Sequence, residues 1–139
     1  MLRVVLDPGV LIAGLISREG APAQTLGKWL AGDFQAVCSP MLITEFLAVS
    51  QRDKFRKYFA IEQAFSFAEL MQMNAEFVND RETTAQSPLN AGDAYLVHLV
   101  VSAEAFAVVT GDRDLAAHRV EGFKAISPRS LVELLSTLP

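Results

Sequence analysis

Apolar residues along this chain come in short runs, and between the runs they recur at helical spacing. Residues 2–6 hold four apolar side chains in five and read as a strand. Asp7-Pro8-Gly9 turns the chain, and residues 10–15 predict a short helix. Residues 17–21 predict a loop. Pro22 suits the first turn of a helix running to about Ala31, because the N–H it lacks would be unpaired there anyway. Gly32-Asp33 breaks that helix, and residues 34–37 form a second strand. Ser39-Pro40, a hydroxyl cap followed by proline, opens a helix from Met41 to about Ser50. Over residues 61–77 the pattern is helical again, with Ala64, Phe67, Ala68, Met71 and Ala75 on one face. Residues 79–88 are polar and predict a loop. Asn90 caps a helix from Ala91 to about Ala103, where length and cap outweigh the valines at 97, 100 and 101. Residues 106–109 are a central strand. A helical turn over residues 114–118, a short strand near residues 123–126 and a last amphipathic helix complete the chain. That helix opens at Ser127-Pro128 and carries Leu131, Leu134 and Leu135.

Short apolar strands alternating with helices imply a mostly parallel sheet covered on both faces, a three-layer α/β/α sandwich. The 139 residues suit a single domain spanning 1–139. A hydrophobic content of 51% excludes a disordered chain. The apolar stretches are broken by His98, Glu104 or glycine before they reach bilayer length. The start lacks the charged, apolar and cleavage segments of a signal peptide, and Cys38 is the single cysteine; together these predict a cytoplasmic protein. The net charge of −4 argues against a general nucleic-acid footprint. The exception is Arg52-Asp53-Lys54-Phe55-Arg56-Lys57, which charge alone assigns to a solvated segment after a helix.

The chemistry candidates are carboxylates. In Val108-Val109-Thr110-Gly111-Asp112-Arg113-Asp114-Leu115 a β-branched strand ends and two acids follow at once, where open α/β sheets bind ligands. Asp112 is assigned to function, whereas Asp114 is expected to cap the next helical turn. Asp7 follows the first strand in the same way, with a turn or cap role as its competing reading. Glu45 has Met41, Leu42 and Val49 on its helical face, an apolar setting that is costly for a carboxylate unless it is paired or binds a metal. Its competing place is the rim of that face. Asp93 fits a helix N-terminus, yet shares a face with Leu96, Val97 and Val100. Strand ends and helix starts lie on one edge of a parallel sheet, so these acids converge there. They would repel unless a cation sat among them. Oxygen ligands suit Mg²⁺ or Mn²⁺, and such an ion fits phosphodiester hydrolysis. His98 is expected at or near the surface, His118 exposed and Cys38 in the core. No serine stands in a nucleophile elbow, and no glycine-rich phosphate loop is present.

In order, Val4-Val5-Leu6-Asp7, Gly20-Ala21-Pro22-Ala23, Ser39-Pro40-Met41-Leu42-Ile43-Thr44-Glu45, Gly92-Asp93-Ala94-Tyr95-Leu96 and Val109-Thr110-Gly111-Asp112-Arg113-Asp114-Leu115 resemble the PIN-domain family. The resemblance is strongest to the toxin-type PIN nucleases of prokaryotic toxin–antitoxin pairs. It implies a three-layer α/β/α sandwich and an acidic cluster that binds Mg²⁺ or Mn²⁺ and cleaves RNA. It implies metal-site acids at Asp7, Glu45, Asp93 and Asp112, with Asp114 accessory and Thr110 at the family's small hydroxyl position. The implied partners are an RNA substrate and an antitoxin protein, with no membrane. Phe55, Tyr58 and Phe59, at the corner after the third helix, read equally as core packing or as a surface for an antitoxin or a homodimer.

Two departures stand out. Where the family follows its first aspartate with a hydroxyl residue and an asparagine, this chain has Pro8 and Gly9. Where the family is often acid-rich before its third acid, this chain has Ser87-Pro88-Leu89-Asn90-Ala91-Gly92. Both predict fewer hydrogen bonds supporting the acids, and hence a weaker metal site. Exchanging Pro8→Thr with Gly9→Asn is then expected to strengthen it, a positive φ at Gly9 being the one restriction. The alternative is a PIN-like domain of weak or lost activity that binds RNA or a partner. A phosphatase of the haloacid-dehalogenase type, suggested by Gly111-Asp112-Arg113-Asp114, would need an aspartate where Gly9 stands.

Overall fold

The structure is a computed structural model and describes residues 1–80 and 91–139. Strand β1 (Arg3–Leu6) lies at the centre of the sheet. β2 (Gln35–Cys38) pairs on one side of it and β4 (Ala107–Val109) on the other, with β3 (Glu76–Phe77) and β5 (Ala125–Ile126) at the edges. The order is β3-β2-β1-β4-β5, and every pair is parallel. Val5 stands opposite both Val37 and Val108, and Leu6 opposite Val109. These strands are buried on both faces, so they read as apolar runs rather than as alternating patterns.

Helix α1 (Pro8–Ile16) packs on both α2 (Ala21–Leu30) and α3 (Pro40–Ser50), α3 packs on α4 (Ile61–Asn74), and α7 (Pro128–Thr137) packs on α2. Helix α5 (Ala91–Ala103) rests on β1 and β4. The right-handed crossover rule puts it on the opposite face, which makes three layers. Gly14 lets α1 and α2 approach closely: a Cβ there would lie 2.4 Å from Leu26 Cδ1. Among the described residues no helix is long and apolar enough to cross a membrane.

Several local expectations change. Helix α1 begins at Pro8 rather than Val10, because Asp7 is its N-cap and Pro8 takes the first position. Gly9 is therefore helical, and its φ is not positive. The helix expected over residues 61–77 stops at Asn74; Ala75 turns extended, and Glu76–Phe77 joins the sheet beside Val37 and Cys38. A two-residue edge strand carries no periodic signal, so pairing alone defines it. Helix α6 (Arg113–Ala116) is capped by Asp112 and not by Asp114. His118 is half-buried rather than exposed, its ring edge-on to Phe123 at 5.8 Å. Phe59 is buried and packs edge-on against Phe55 at 5.8 Å, so these two belong to the core, while Tyr58 is 48% exposed. The Asn90 cap and the loop reading beyond residue 80 lie outside the described residues.

From β1 the chain moves to β2, and from β4 it moves to β5 in the opposite direction. The carboxyl ends of β1 and β4 are thus the topological switch point, where a crevice opens in such sheets.

Candidate active site

Asp7 follows β1 directly, and Thr110-Gly111-Asp112 follows β4. The Asp7 N–H donates to the Val109 carbonyl at 3.0 Å, which ties the two strand ends together. The Asp7 carboxylate is held at both oxygens. Oδ1 accepts from the Gly9 N–H at 3.0 Å, and Oδ2 accepts from the Thr110 hydroxyl at 2.5 Å. The same hydroxyl accepts from the Asp112 N–H at 3.0 Å. Thr110 is buried, and its own N–H donates to the Ile126 carbonyl at 2.9 Å, so it is a fixed post between the two acids. Asp112 Oδ1 accepts from the Asp114 N–H at 2.9 Å, the capping bond of α6. An N-cap of this kind contributes about 1 kcal/mol.

Asp93 stands in the first turn of α5, half-buried. Burial raises its pKa above the ordinary carboxylate value, and the nearby charges of Asp112, Asp7 and Asp114 raise it further. Asp7, Asp93 and Asp112 line one cleft of about 380 Å³, with Pro22 and Pro128 on its walls. Asp114 is exposed at the rim and does not line it; its backbone serves Asp112.

Glu45, half-buried on α3, lines an adjoining groove. Burial raises its pKa, Asp7 and Asp93 add to the rise, and a hydrogen bond from Tyr95 together with the charge of Arg52 opposes it. The Tyr95 hydroxyl donates to Glu45 Oε2, and Tyr95 itself is only 2% exposed. Its own pKa is strongly raised, first by burial. Sequence reasoning gave Tyr95 no role. The available signal was a tyrosine on the inward face of α5, since a buried phenol seeks a partner. Asp80 was missed as well: its Oδ2 accepts from the Met41 N–H at 2.8 Å and caps α3 together with Ser39. Only tertiary contact brings Asp80 there.

Pro8 and Gly9 supply no side-chain donor; the Asp7 carboxylate is held by the Gly9 backbone N–H and by Thr110, which follows the neighbouring strand β4. Among the described residues no three His, Cys, Asp or Glu side chains are grouped so that together they could hold an ion. The cleft offers spread carboxylate oxygens with neither sulfur nor imidazole. That donor set fits Mg²⁺ or Mn²⁺, since Mg²⁺ keeps several waters and uses few protein ligands.

A family model described as PIN domain matches residues 3–114. Among solved structures, a chain in the crystal structure of VapBC2 from Rickettsia felis bound to a DNA fragment from their promoter shares the fold, with a TM-score of 0.62. Sequence identity is 13%, and the match covers 91% of this chain and 98% of that one. At this identity the likeness is one of fold. No curated protein matches the chain.

Proposed function

The chain belongs to the PIN-domain family, and we propose that it is a ribonuclease, the toxin of a toxin–antitoxin pair, that cleaves RNA phosphodiester bonds with a carboxylate-held Mg²⁺ or Mn²⁺ ion. One observation carries the reading. Asp7, Asp93 and Asp112 share a cleft, and among the described residues no Lys or Arg pairs with any of them. The missing counter-charge is the place for a cation. The toxin assignment draws on the resemblance in the motifs and on the fold shared with the VapBC2 chain. We read residues 1–139 as one domain acting in the cytoplasm, with an antitoxin partner and a possible second copy as its protein contacts.

Asp7, Asp93 and Asp112 would hold the ion directly or through water, with Glu45 completing the charge and Asp114 accessory. When bound, the ion makes a nucleophile from water and steadies the leaving oxygen. The rest falls to the chain. Gly9 N–H and the Thr110 hydroxyl hold the Asp7 carboxylate in one orientation, and the α6 cap holds Asp112. Glu45, its proton affinity raised by burial, suits a group that orients a water and takes its proton as the water oxygen bonds to phosphorus and the bond to the leaving oxygen breaks. Tyr95 keeps Glu45 aimed.

The test is cleavage of a labelled RNA by purified protein in Mn²⁺, in Mg²⁺ and in chelator. Metal-dependent cleavage by wild type, lost in Asp112→Asn with the fold intact, is the expected result. A wild type that cleaves no faster with metal than with chelator would overturn the enzyme reading in favour of the binding module.

A further inference from the structure

Helix α3 carries Glu45 at its middle and ends beside the basic cluster. Arg52 follows Glu45 by seven positions, which brings it back to the same face about 10 Å along the axis. Its N–H donates to the Val49 carbonyl at 3.1 Å in the turn that closes α3 after its cap Gln51, and its own backbone is extended. On the same helix Met41, Thr44 and Ala48 are exposed. With Pro40, Glu45 and Tyr95 they line an open groove of about 440 Å³ with mainly apolar walls. The groove runs along α3 from Pro40 past Glu45 to Ala48, and Arg52 follows four positions beyond Ala48.

That turn is built to present charge. Arg52, Lys54 and Lys57 are exposed, and among the described residues none is paired with a carboxylate. Lys54 Nζ stands 5.2 Å over the Phe55 ring and Lys57 Nζ 5.1 Å over the Tyr58 ring. Tyr58 keeps 48% of its surface exposed. Arg56 does a different job: it turns inward to the Ser50 carbonyl, lies over Phe59 at 5.3 Å, and so fixes the turn. Four cations against Asp53 within residues 52–57 stand out in a chain of net charge −4.

We infer that the outer face of α3 and the turn after it form the track on which single-stranded RNA lies as it enters the cleft. The inference rests on the ribonuclease reading. An acidic cleft repels phosphates, so its substrate needs cations nearby to hold it. A single strand offers anionic phosphates and flat apolar base faces in alternation, and the track offers unpaired cations, an exposed tyrosine and an apolar groove in the same stretch. An RNA duplex would keep its base faces stacked away from that groove.

The experiment is fluorescence anisotropy of a labelled single-stranded RNA 12-mer of mixed sequence across a salt series, in the cleavage-blocked Asp112→Asn background. The comparison adds Arg52→Gln, Lys54→Gln and Lys57→Gln together; the control adds Arg18→Gln, Arg119→Gln and Arg129→Gln. Each phosphate contact contributes ~0.7 to the slope of log affinity against log salt for single strands. The track variant should bind at least tenfold more weakly with a slope shallower by about 2, at an unchanged melting temperature, while the control stays near the parent. Parent-like affinity and slope in the track variant overturn the track. If those come with a loss of dimer mass in light scattering, the face belongs to a second copy of this chain. The failures are separable: a wild type without metal-dependent cleavage removes the ribonuclease reading, whereas a cleaving wild type with an indifferent track variant removes only the track.

Discussion

The Thr110 hydroxyl lies 2.5 Å from Asp7 Oδ2 and 3.0 Å from the Asp112 N–H, so one buried side chain sets the relation between two acids from opposite ends of the chain. It donates to the first and accepts from the second, which leaves neither group unpaired. Its neighbours in sequence could not do this, because only the pairing of β1 with β4 brings Asp7 within its reach.

Thr110→Val keeps the shape and removes the hydroxyl. It leaves a carboxylate oxygen and a backbone N–H without their partner, at a cost of about 1–3 kcal/mol. Mn²⁺ affinity should fall by roughly 10- to 100-fold, as for other groups that orient a ligand, and Thr110→Ser should recover most of it. Calorimetric titration with Mn²⁺ checks this; equal affinities for Val and Thr would show that the hydroxyl does not support the site.

The exchange Pro8→Thr with Gly9→Asn should change Mn²⁺ affinity little, by about twofold or less, because the Gly9 N–H and Thr110 already hold both Asp7 oxygens. A Cβ at Gly9 would meet Asp7 Oδ1 at 3.7 Å, an ordinary contact, so the variant can fold. A large gain in affinity would mean that the carboxylate is less well held than its two hydrogen bonds indicate.

Glu45 and Asp93 both have pKa values raised by burial and by neighbouring acids. A raised carboxylate binds more protons in the folded state than in the unfolded one. Without metal, stability should therefore decline as pH rises from the unfolded carboxylate value near 4 through the raised values, and be least affected below it. An ion that binds the native state alone offsets the decline, by about 2.7 kcal/mol at a hundredfold excess over its dissociation constant. Thermal melts between pH 4 and pH 8, with chelator and with Mn²⁺, test both signs. Asp93→Asn should flatten the metal-free decline. Superimposable wild-type melts in chelator and Mn²⁺ would remove the cation from the cleft.

Gly14→Ala tests the packing that carries the cleft wall. The added methyl would lie 2.4 Å from Leu26 Cδ1 and 2.9 Å from its Cγ. Overpacking of this kind costs about 1–3 kcal/mol, seen as a lower denaturation midpoint. Adding Leu26→Val should recover part of the loss, and an unchanged midpoint in the single variant would show that α1 and α2 are free to separate.

What the sequence determined is what depends on near neighbours. Ser39-Pro40 and Ser127-Pro128 mark helix starts because a hydroxyl cap and an N–H-less residue act within one turn, and both helices begin there. Apolar runs at residues 2–6 and 106–109 read as strands because burial on both faces leaves no alternation, and they pair at the centre of the sheet. Asp7 and Asp112 stood out because they follow those strands directly. Tertiary structure decided the rest. It made Glu76–Phe77 a strand through β2, and gave Arg3 its ion pair with Glu76. It gave Glu45 the hydroxyl of Tyr95 and Met41 the carboxylate of Asp80. It also moved the α6 cap from Asp114 to Asp112, where the chain leaves β4 extended before it coils. A hydrogen bond acts over about 3 Å, so a partner distant in sequence exists only once the fold has brought it there.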